Sequence, residues 1–274
     1  MDPHRPVSAA PSPAPRGLEV ISSDYFVPDH VFVYVGTGEL RAHDGRQAYV
    51  LRANQYCLVR KNHLVSYDRR RGELEAERTV ICLEEQFLKA FQHKHQLPTG
   101  QPLASGAFVP LTRNKLIPAF IRSLQPYYAN SAALPAALAE VKYEELLLLL
   151  LRQQPELAGL LFAYGPPGKL NLEAFMHQNF RFNISAREFA YLTGRSLSAF
   201  KRDFQQLFHE APGRWLVRRR LQEAHFLIAE RQRKPADFYL ELGFEDLSHF
   251  SFAFRRQFGY TPKHLAQAQS GGHR

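Results

Sequence analysis

Cysteine is scarce in this chain, which has only Cys57 and Cys82 among its 274 residues. The two lie outside any Cys-x-x-Cys motif and have no histidine at ligand spacing, so the sequence indicates neither a zinc site nor a disulfide framework. Both stand in apolar, strand-like segments, and we expect two buried thiols.

Long hydrophobic runs are also missing. The longest, Leu146 to Leu151, has six residues, whereas a membrane-spanning helix needs about 18 or more. The N-terminus lacks the apolar core of a signal peptide. We therefore expect a soluble protein of the cytoplasm that has no membrane partner.

Acidic residues are outnumbered by basic ones, 26 against 35, which gives a formal net charge of +9. Residues 171–274 hold 16 Lys and Arg against 10 Asp and Glu, and 13 of the 16 are Arg. Arg suits forked contacts to phosphates and guanine edges. This part of the chain therefore has either a polyanionic partner or an ordinary basic, solvated surface.

Changes in composition divide the chain into six segments. Residues 1–17 are crowded with Pro, Ala and Ser, which predicts a disordered tail, and the Gly-Pro-Pro-Gly sequence at 165–168 marks the clearest boundary. The other segments are a β domain at 18–110, a helical dimerisation or linker region at 111–163, a linker at 164–170, an all-α domain at 171–268 and a tail at 269–274. The predicted fold class is α+β.

The β domain is predicted from short runs of aromatic and β-branched residues. Val31, Val33 and Val35 alternate, and Asp44-Gly45 supplies turn chemistry, which is typical of antiparallel strands in a small barrel or sandwich. The helix at Glu144 to Leu151 has too many leucines for a solvated helix. It is buried either within its own domain or against a second copy of the chain.

The all-α domain contains one arrangement twice. Ser185 and Glu188 form a capping box, Gly194 breaks the chain, and Ser196 or Ser198 caps a second helix. In that helix an apolar stripe is predicted to face inward, while polar and basic residues stay outside. This pattern predicts a helix-turn-helix unit whose recognition helix enters the major groove. The stripe consists of Phe200, Phe204, Leu207 and Phe208.

The second copy follows a long helix that carries Arg218, Arg219 and Arg220. Pro235 is predicted to open a helix buried by Phe238, Leu240 and Leu242, Gly243 makes the break, and Asp246 caps the recognition helix. Phe250, Phe254 and Phe258 space at i, i+4 and i+8, Gly259 ends the helix, and Thr261-Pro262 starts a closing helix.

Residues 171–268 resemble the DNA-binding domain of the AraC/XylS family of bacterial regulators. The similarity is greatest in LELGFEDLSHFSFAFRRQFGYTPKHL, which matches that family's Gly-Phe break, Phe-Arg-Arg, Phe-Gly and Thr-Pro. The resemblance implies one module that places two recognition helices in successive major-groove segments, about one turn (roughly 34 Å) apart. Phe252 departs from the family, since many members have a basic or polar residue there; it would contact a thymine methyl or simply pack.

Carried over residue by residue, the resemblance implies two sets of DNA contacts. The base-facing residues would be Ser198, Lys201, Arg202, Leu247, Ser248, Ser251 and Phe252. The phosphate-facing residues would be Arg218, Arg219, Arg220, His249, Arg255 and Arg256, which supply affinity and salt dependence.

The β domain resembles the cupin-like sensing and dimerising domains of the same family. Cupin enzymes hold a metal through a His-x-His motif, a Glu and a later His, and this motif is missing among His30, Glu39, His43 and His63, so we expect no metal. Tyr34, Tyr49, Tyr56 and Phe32 line a ligand pocket or, as we favour, form the core. Basic patches, including the arginines at 69–71, fit an acidic effector, a protein partner or a solvated face.

The sequence thus predicts a sequence-specific transcription regulator, an activator, without catalytic residues or a cofactor. Its partners would be double-stranded DNA, a second copy of the chain, RNA polymerase by resemblance, and either a small-molecule effector or a regulatory protein. The alternative is an enzyme fused to a DNA-binding module. An alkylation-repair enzyme would need an activated cysteine, and a cupin enzyme would need the metal triad.

Overall fold

The computed structural model describes residues 26–67, 76–100, 106–129 and 135–271. The expected tail at 1–17, the arginines at 69–71 and residues 272–274 lie outside these ranges. Across the described residues the α+β class is confirmed, because β-sheets with covering helices come first and an all-α domain follows.

The described residues contain nine strands, all of them short. Turns separate them as the sequence predicts, and Gly45 follows Asp44 with a φ of 83°. The strands are β1 (Phe26–Val27), β2 (His30–Val35), β3 (Glu39–His43), β4 (Ala48–Arg52), β5 (Gln55–Val59), β6 (His63–Leu64), β7 (Ser66–Tyr67), β8 (Arg78–Leu83) and β9 (Phe108–Pro110).

The strands form three antiparallel sheets instead of one closed barrel within the described residues. The largest has the order β8-β2-β5-β9, the second has the order β4-β3-β7, and β1 pairs with β6 alone. The central strand β2 is covered on both faces. Its Phe32 and Tyr34 face a core shared with helices, whereas Val33 and Val35 face a core shared with the second sheet.

Among the described residues up to 161, four α-helices cover the outer face of the large sheet. Leu146, Leu147 and Leu150 are buried against Phe32 and Leu58 of the sheet. The leucine-rich helix is therefore buried mainly within its own domain, as one of the two alternatives predicted. The helices are α1 (Glu85–Lys94), α2 (Leu116–Ala129), α3 (Ala136–Gln153) and, after a 3-10 turn at Pro155–Leu157, α4 (Ala158–Leu161).

The all-α domain has six α-helices and two hydrophobic cores, one for each half. The long helix α8 contributes to both. The helices are α5 (Leu172–Asn179), α6 (Ala186–Leu192), α7 (Leu197–Phe208), α8 (Pro212–Ala229), α9 (Leu247–Phe258) and α10 (Pro262–Gly271), with a 3-10 turn at Pro235–Asp237 before α9.

The β3–β4 hairpin touches the all-α domain at the segment between α5 and α6. The ring of His43 lies 5.8 Å from that of Phe182, measured between centroids. A Cβ built on Gly45 would come within 3.1 Å of the Phe182 ring. Leu64 of β6 is buried in the same core as Leu192 of α6. The β-rich and helical halves of the molecule thus share apolar contacts.

Candidate nucleic-acid interface

The first helix-turn-helix unit consists of α6, a tight turn and α7. The hydroxyl of Ser185 accepts from the Glu188 N–H at 3.2 Å, while the Glu188 carboxylate accepts from the Ser185 N–H at 2.7 Å. The predicted capping box is therefore confirmed. Gly194 takes a φ of 66° in the turn, and Ser196, not Ser198, caps α7 by accepting from the Ala199 N–H at 3.2 Å.

Helix α7 separates an apolar face from a polar one. Phe200 and Phe204 are fully buried, and full burial of such a side chain stabilises the fold by roughly 1.5–3 kcal/mol. Leu207 was predicted to face inward, but 49% of it is exposed. At this end of the helix the next residue, Phe208, faces the core instead, with its ring 4.7 Å from that of Trp215 in α8. The exposed face carries Ser198, Lys201 and Arg202 together.

A carboxylate lies between two arginines on this unit. Asp203 accepts from Arg195 Nε at 3.1 Å with one oxygen and from Arg202 Nη2 at 3.2 Å with the other. The hydrogen bond from Arg195, followed by that from Arg202, lowers the pKa of Asp203. Arg195 is nearly buried and also donates to the carbonyl of Thr193, whereas the side chain of Arg202 is 69% exposed. Arg195 therefore fixes the turn, and Arg202 remains accessible.

The second unit begins differently from the prediction. Instead of an α-helix after Pro235, the chain forms a 3-10 turn followed by hydrogen-bonded turns up to Gly243. Phe238 and Leu242 are buried as expected, but Leu240 is 51% exposed. Phe238, Leu242 and Phe244 face the core of this unit, whereas Leu240 lies on the opposite side of the segment.

The recognition helix α9 of this unit matches α7 in length and in its buried stripe. Asp246 caps it by accepting from the His249 N–H at 2.6 Å, and Gly259 ends it with a φ of 85°. Phe250 and Phe254 are fully buried. Leu247, Ser248, His249 and Phe252 are exposed.

Two residues on this helix have distinct surroundings. The Ser251 hydroxyl donates to the Leu247 carbonyl at 2.7 Å, so its donor is used within the helix. Phe252 is 68% exposed, the highest value among the large hydrophobic residues that are exposed in the described chain. Its ring lies on the same exposed side of α9 as Leu247 and Ser248.

Two arginines of α8, Arg218 and Arg219, are partly exposed and each pairs with a glutamate. Arg218 pairs with Glu210 at 3.0 Å, and Arg219 pairs with Glu223 at 3.5 Å while its guanidinium lies 4.5 Å above the centroid of the Phe180 ring. Both side chains are partly exposed, at 39% and 31%. Arg255 and Arg256 are exposed near the end of α9.

Arg220 was predicted to face phosphate, and this is wrong. Only 6% of it is exposed. Its guanidinium donates to the carbonyls of Phe180, Phe182 and Gly243 at 2.8–3.0 Å. These donors point into the protein, so the side chain cannot reach DNA.

The histidines of the β domain do not assemble a metal centre, and the described residues contain no group of three or more His, Cys, Asp or Glu side chains placed to hold a metal ion. His30 is buried, and burial, followed by the neighbouring Lys61 and Arg60, lowers its pKa to about 3. Phe32, Tyr34 and Tyr56 belong to the core, as favoured, while Tyr49 is half-buried.

The two cysteines differ in their surroundings. Cys57 is buried as expected, and burial raises the pKa of its thiol to about 12, which disfavours the nucleophilic thiolate. Cys82 was also expected to be buried, but it is exposed because alternate residues of β8 face outward at this point. The buried position of Cys57 therefore does not support the activated cysteine that an alkylation-repair enzyme would need.

Sequence reasoning missed a basic cleft between the two halves of the molecule. Its volume is about 460 Å³, and its walls include Arg46, Arg60, Lys61 and His63 from the β domain and Asn179 from α5. The Arg60–His63 run is visible in the sequence. Its position opposite α5 depends on the tertiary fold and carries no local signal.

Comparison with known proteins matches both halves. Residues 30–160 match the model of the ExsA N-terminal regulatory domain, and residues 189–268 match that of a helix-turn-helix domain. The virulence regulon transcriptional activator VirF of Yersinia enterocolitica is 27% identical over 260 residues, covering 89% of this chain and 94% of VirF. The regulator ExsA of Pseudomonas aeruginosa is 25% identical over 250 residues, covering 85% of this chain and 84% of ExsA.

A crystal structure of a regulator with an AraC-type DNA-binding domain from Chromobacterium violaceum is 25% identical. The matched region covers 36% of this chain and 88% of the Chromobacterium violaceum chain, with a TM-score of 0.33.

These relatives are named as regulators of transcription and not as enzymes. Across the part of the chain that the structure describes, no helix is both long and apolar enough to cross a bilayer. The matched helix-turn-helix domain makes DNA a partner of the helical half. The chain belongs to the AraC/XylS-type family of helix-turn-helix transcriptional regulators.

Proposed function

We propose that this regulator activates transcription by reading two successive major-groove segments, one with α7 and one with α9. The observation that carries the proposal is the pairing of two 12-residue helices, each with a buried Phe stripe and an exposed outer face, on either side of the single helix α8. Such a module presents both helices to one face of the DNA.

The first recognition helix would read bases by hydrogen bonding. Lys201 and Arg202 are exposed on α7, and Arg or Lys donating to guanine O6 and N7 is the commonest specific contact in the major groove. Ser198 lies one turn earlier on the same face, with its hydroxyl available because Ser196 serves as the cap.

The second recognition helix would read bases mainly by apolar contact. Its exposed face carries Leu247 and Phe252 around Ser248, and Ser251 already donates to the helix backbone. Apolar side chains recognise the thymine C5-methyl group. We therefore expect the second half-site to be rich in A·T pairs.

Phosphate contacts would supply the affinity that is independent of sequence. Arg218, Arg219, Arg255 and Arg256 are partly or fully exposed around the two recognition helices, and His249 is exposed at the start of α9. Each neutralised phosphate releases counterions, so binding weakens as salt rises.

The β domain, with α1–α4, would regulate and dimerise the protein in the cytoplasm. On α3, Leu138, Val141 and Leu148 are 43–60% exposed and fall on one helical stripe, which fits a contact with a second copy. RNA polymerase would be a further partner, as for an activator. The regulatory signal is either a small molecule, for which the basic cleft favours an anion, or a partner protein.

Binding of the full chain to a library of genomic fragments, measured across a salt titration, tests this proposal. We expect enrichment of few fragments. Arg202→Ala should relax their selection, while Arg219→Ala should weaken binding to all fragments about equally and reduce the salt slope by about one. Binding that depends on salt and ignores sequence in all three proteins would contradict the reading role of α7.

A further inference from the structure

Arg220 lies near the middle of α8, between the two helix-turn-helix units, and is the one charged residue of that helix that is buried. Its guanidinium makes three hydrogen bonds to backbone carbonyls. Nε donates to Phe180 and Nη2 to Phe182, each at 2.8 Å, and Nη1 donates to Gly243 at 3.0 Å. Charge-assisted bonds of this kind offset the cost of burying the cation.

The three carbonyls come from two separate segments of the chain. Phe180 and Phe182 are in the segment that leads from α5 into α6, whereas Gly243 is in the turn that leads into α9. In sequence the carbonyls lie 38–40 residues before and 23 residues after Arg220. One planar, rigid group therefore ties the approach to the first unit directly to the approach to the second.

The two segments also meet at a close backbone contact. A Cβ on Gly243 would lie 2.4 Å from the Arg181 carbonyl oxygen and 2.9 Å from Arg220 Cζ, at a φ of 76°. Asn183 Nδ2 donates to Glu245 Oε1 at 3.1 Å across the same junction. The absence of a side chain at Gly243 allows the guanidinium to lie between the segments.

We propose that Arg220 is a positioning residue that fixes the two recognition helices relative to each other and thereby sets the spacing of the two DNA half-sites that the protein accepts. Rotation of B-DNA by roughly 34–36° per base pair makes spacing sensitive to the angle between the helices. This inference rests on the proposed function, because it requires that both helices read one site.

The test uses the full chain and a DNA duplex carrying the sequence that the wild-type protein selects from a random library. Variant duplexes have one base pair removed, or one or two added, between the half-sites. For the wild type we expect each change of spacing to weaken binding by about tenfold or more, because one half-site is then presented at the wrong angle.

Arg220→Lys keeps the positive charge but replaces the planar fork with a single ammonium, which cannot reach all three carbonyls in the same geometry. In this variant, a change of spacing should weaken DNA binding by only about threefold or less. The base preference within each half-site should be unchanged. Ile228→Val is the matched control. It alters a buried residue of the same helix away from the junction and should keep the wild-type spacing preference.

Gly243→Ala tests the junction from its other side if Arg220→Lys does not fold. Its added methyl group must separate the two segments, and it too should broaden the accepted spacing. Equal weakening at every spacing, with the wild-type preference retained, would overturn the positioning role. A wild-type protein that selects no two-part site would instead refute the proposed function.

Discussion

Asp203 joins Arg195 in the turn of the first unit to Arg202 on its outer face, with 3.1 Å between Arg195 Nε and one carboxylate oxygen. A predicted base-reading arginine is thus held beside a negative charge. The carboxylate holds Arg202 and also reduces the local positive potential, and replacing Asp203 by Asn tests the second of these effects.

Asp203→Asn should increase the affinity for DNA of random sequence several-fold at low salt. The substitution removes one negative charge beside Arg202 on the face that we propose contacts DNA, and the gain should shrink as salt rises. The measurement is a fluorescence-anisotropy titration at two salt concentrations. Glu144→Gln, which removes a carboxylate paired with Lys94 in the β domain, is the control and should leave DNA affinity unchanged.

Ser196 and Ser198 are expected to have different roles although they are two residues apart. Ser196→Ala removes the α7 cap and should lower the free energy of unfolding by about 1 kcal/mol. Ser198→Ala should leave stability within about 0.5 kcal/mol, because that side chain is exposed. It should alter the base preference of the first half-site.

Urea unfolding measures the stability of both variants, and in vitro selection of DNA measures their base preference. A stability loss in Ser198→Ala equal to that in Ser196→Ala would contradict the assignment of the cap.

Gly194 and Gly259 both have positive φ, at 66° and 85°, but only Gly194 is crowded. Its Cβ would lie 2.7 Å from the backbone of Gly168, whereas nothing lies within 4 Å of a Cβ on Gly259. Gly259→Ala should cost about 1 kcal/mol of strain. Gly194→Ala should cost about 2 kcal/mol more, from overpacking against the linker.

The measurement is the loss in free energy of unfolding caused by Gly194→Ala, compared with the loss caused by Gly259→Ala. Equal costs would mean that the linker moves away without a penalty, and that the close approach of Gly168 to the turn is not required by the fold.

His30 should make stability depend on pH. Burial lowers its pKa in the folded state to about 3, below the ordinary value of 6.5. The unfolded chain therefore binds the proton first, so stability is retained above about pH 6.5 and is lost as pH falls towards 3. Between pH 7.5 and 5.5 this group alone should lower the free energy of unfolding by about 1.4 kcal/mol.

Denaturant titrations of the wild type and His30→Gln at both pH values isolate this contribution, since His63 and the other histidines are present in both proteins. The pH-dependent loss should be smaller in His30→Gln by about that amount. An identical loss in the two proteins would show that folding does not lower the pKa of His30.

Features governed by local chemistry were predictable from the sequence. The capping box at Ser185, the break at Gly194, the cap at Asp246 and the helix end at Gly259 each depend on a few neighbouring residues, and all are confirmed. The buried Phe stripes of α7 and α9 follow from helical spacing, which local sequence also determines.

Features governed by distant contacts were not predictable. Arg220 looks like its neighbours Arg218 and Arg219, and only carbonyls 23 to 40 residues away decide that it is buried. The segment before α9 forms a 3-10 turn and further turns where a helix was expected, and Leu240, two positions from both Phe238 and Leu242, is exposed. The same holds for the basic cleft, whose walls come from both halves of the chain.

In vitro selection of random DNA duplexes by the full chain, repeated with Arg202→Ala and Phe252→Ala, tests the central claim most directly. We predict two blocks of sequence preference with centres about 10 base pairs apart. Arg202→Ala should erase preference in one block only, and Phe252→Ala should erase thymine preference in the other. A single block for the wild type, or loss of both blocks in either variant, would contradict the claim that α7 and α9 read separate half-sites.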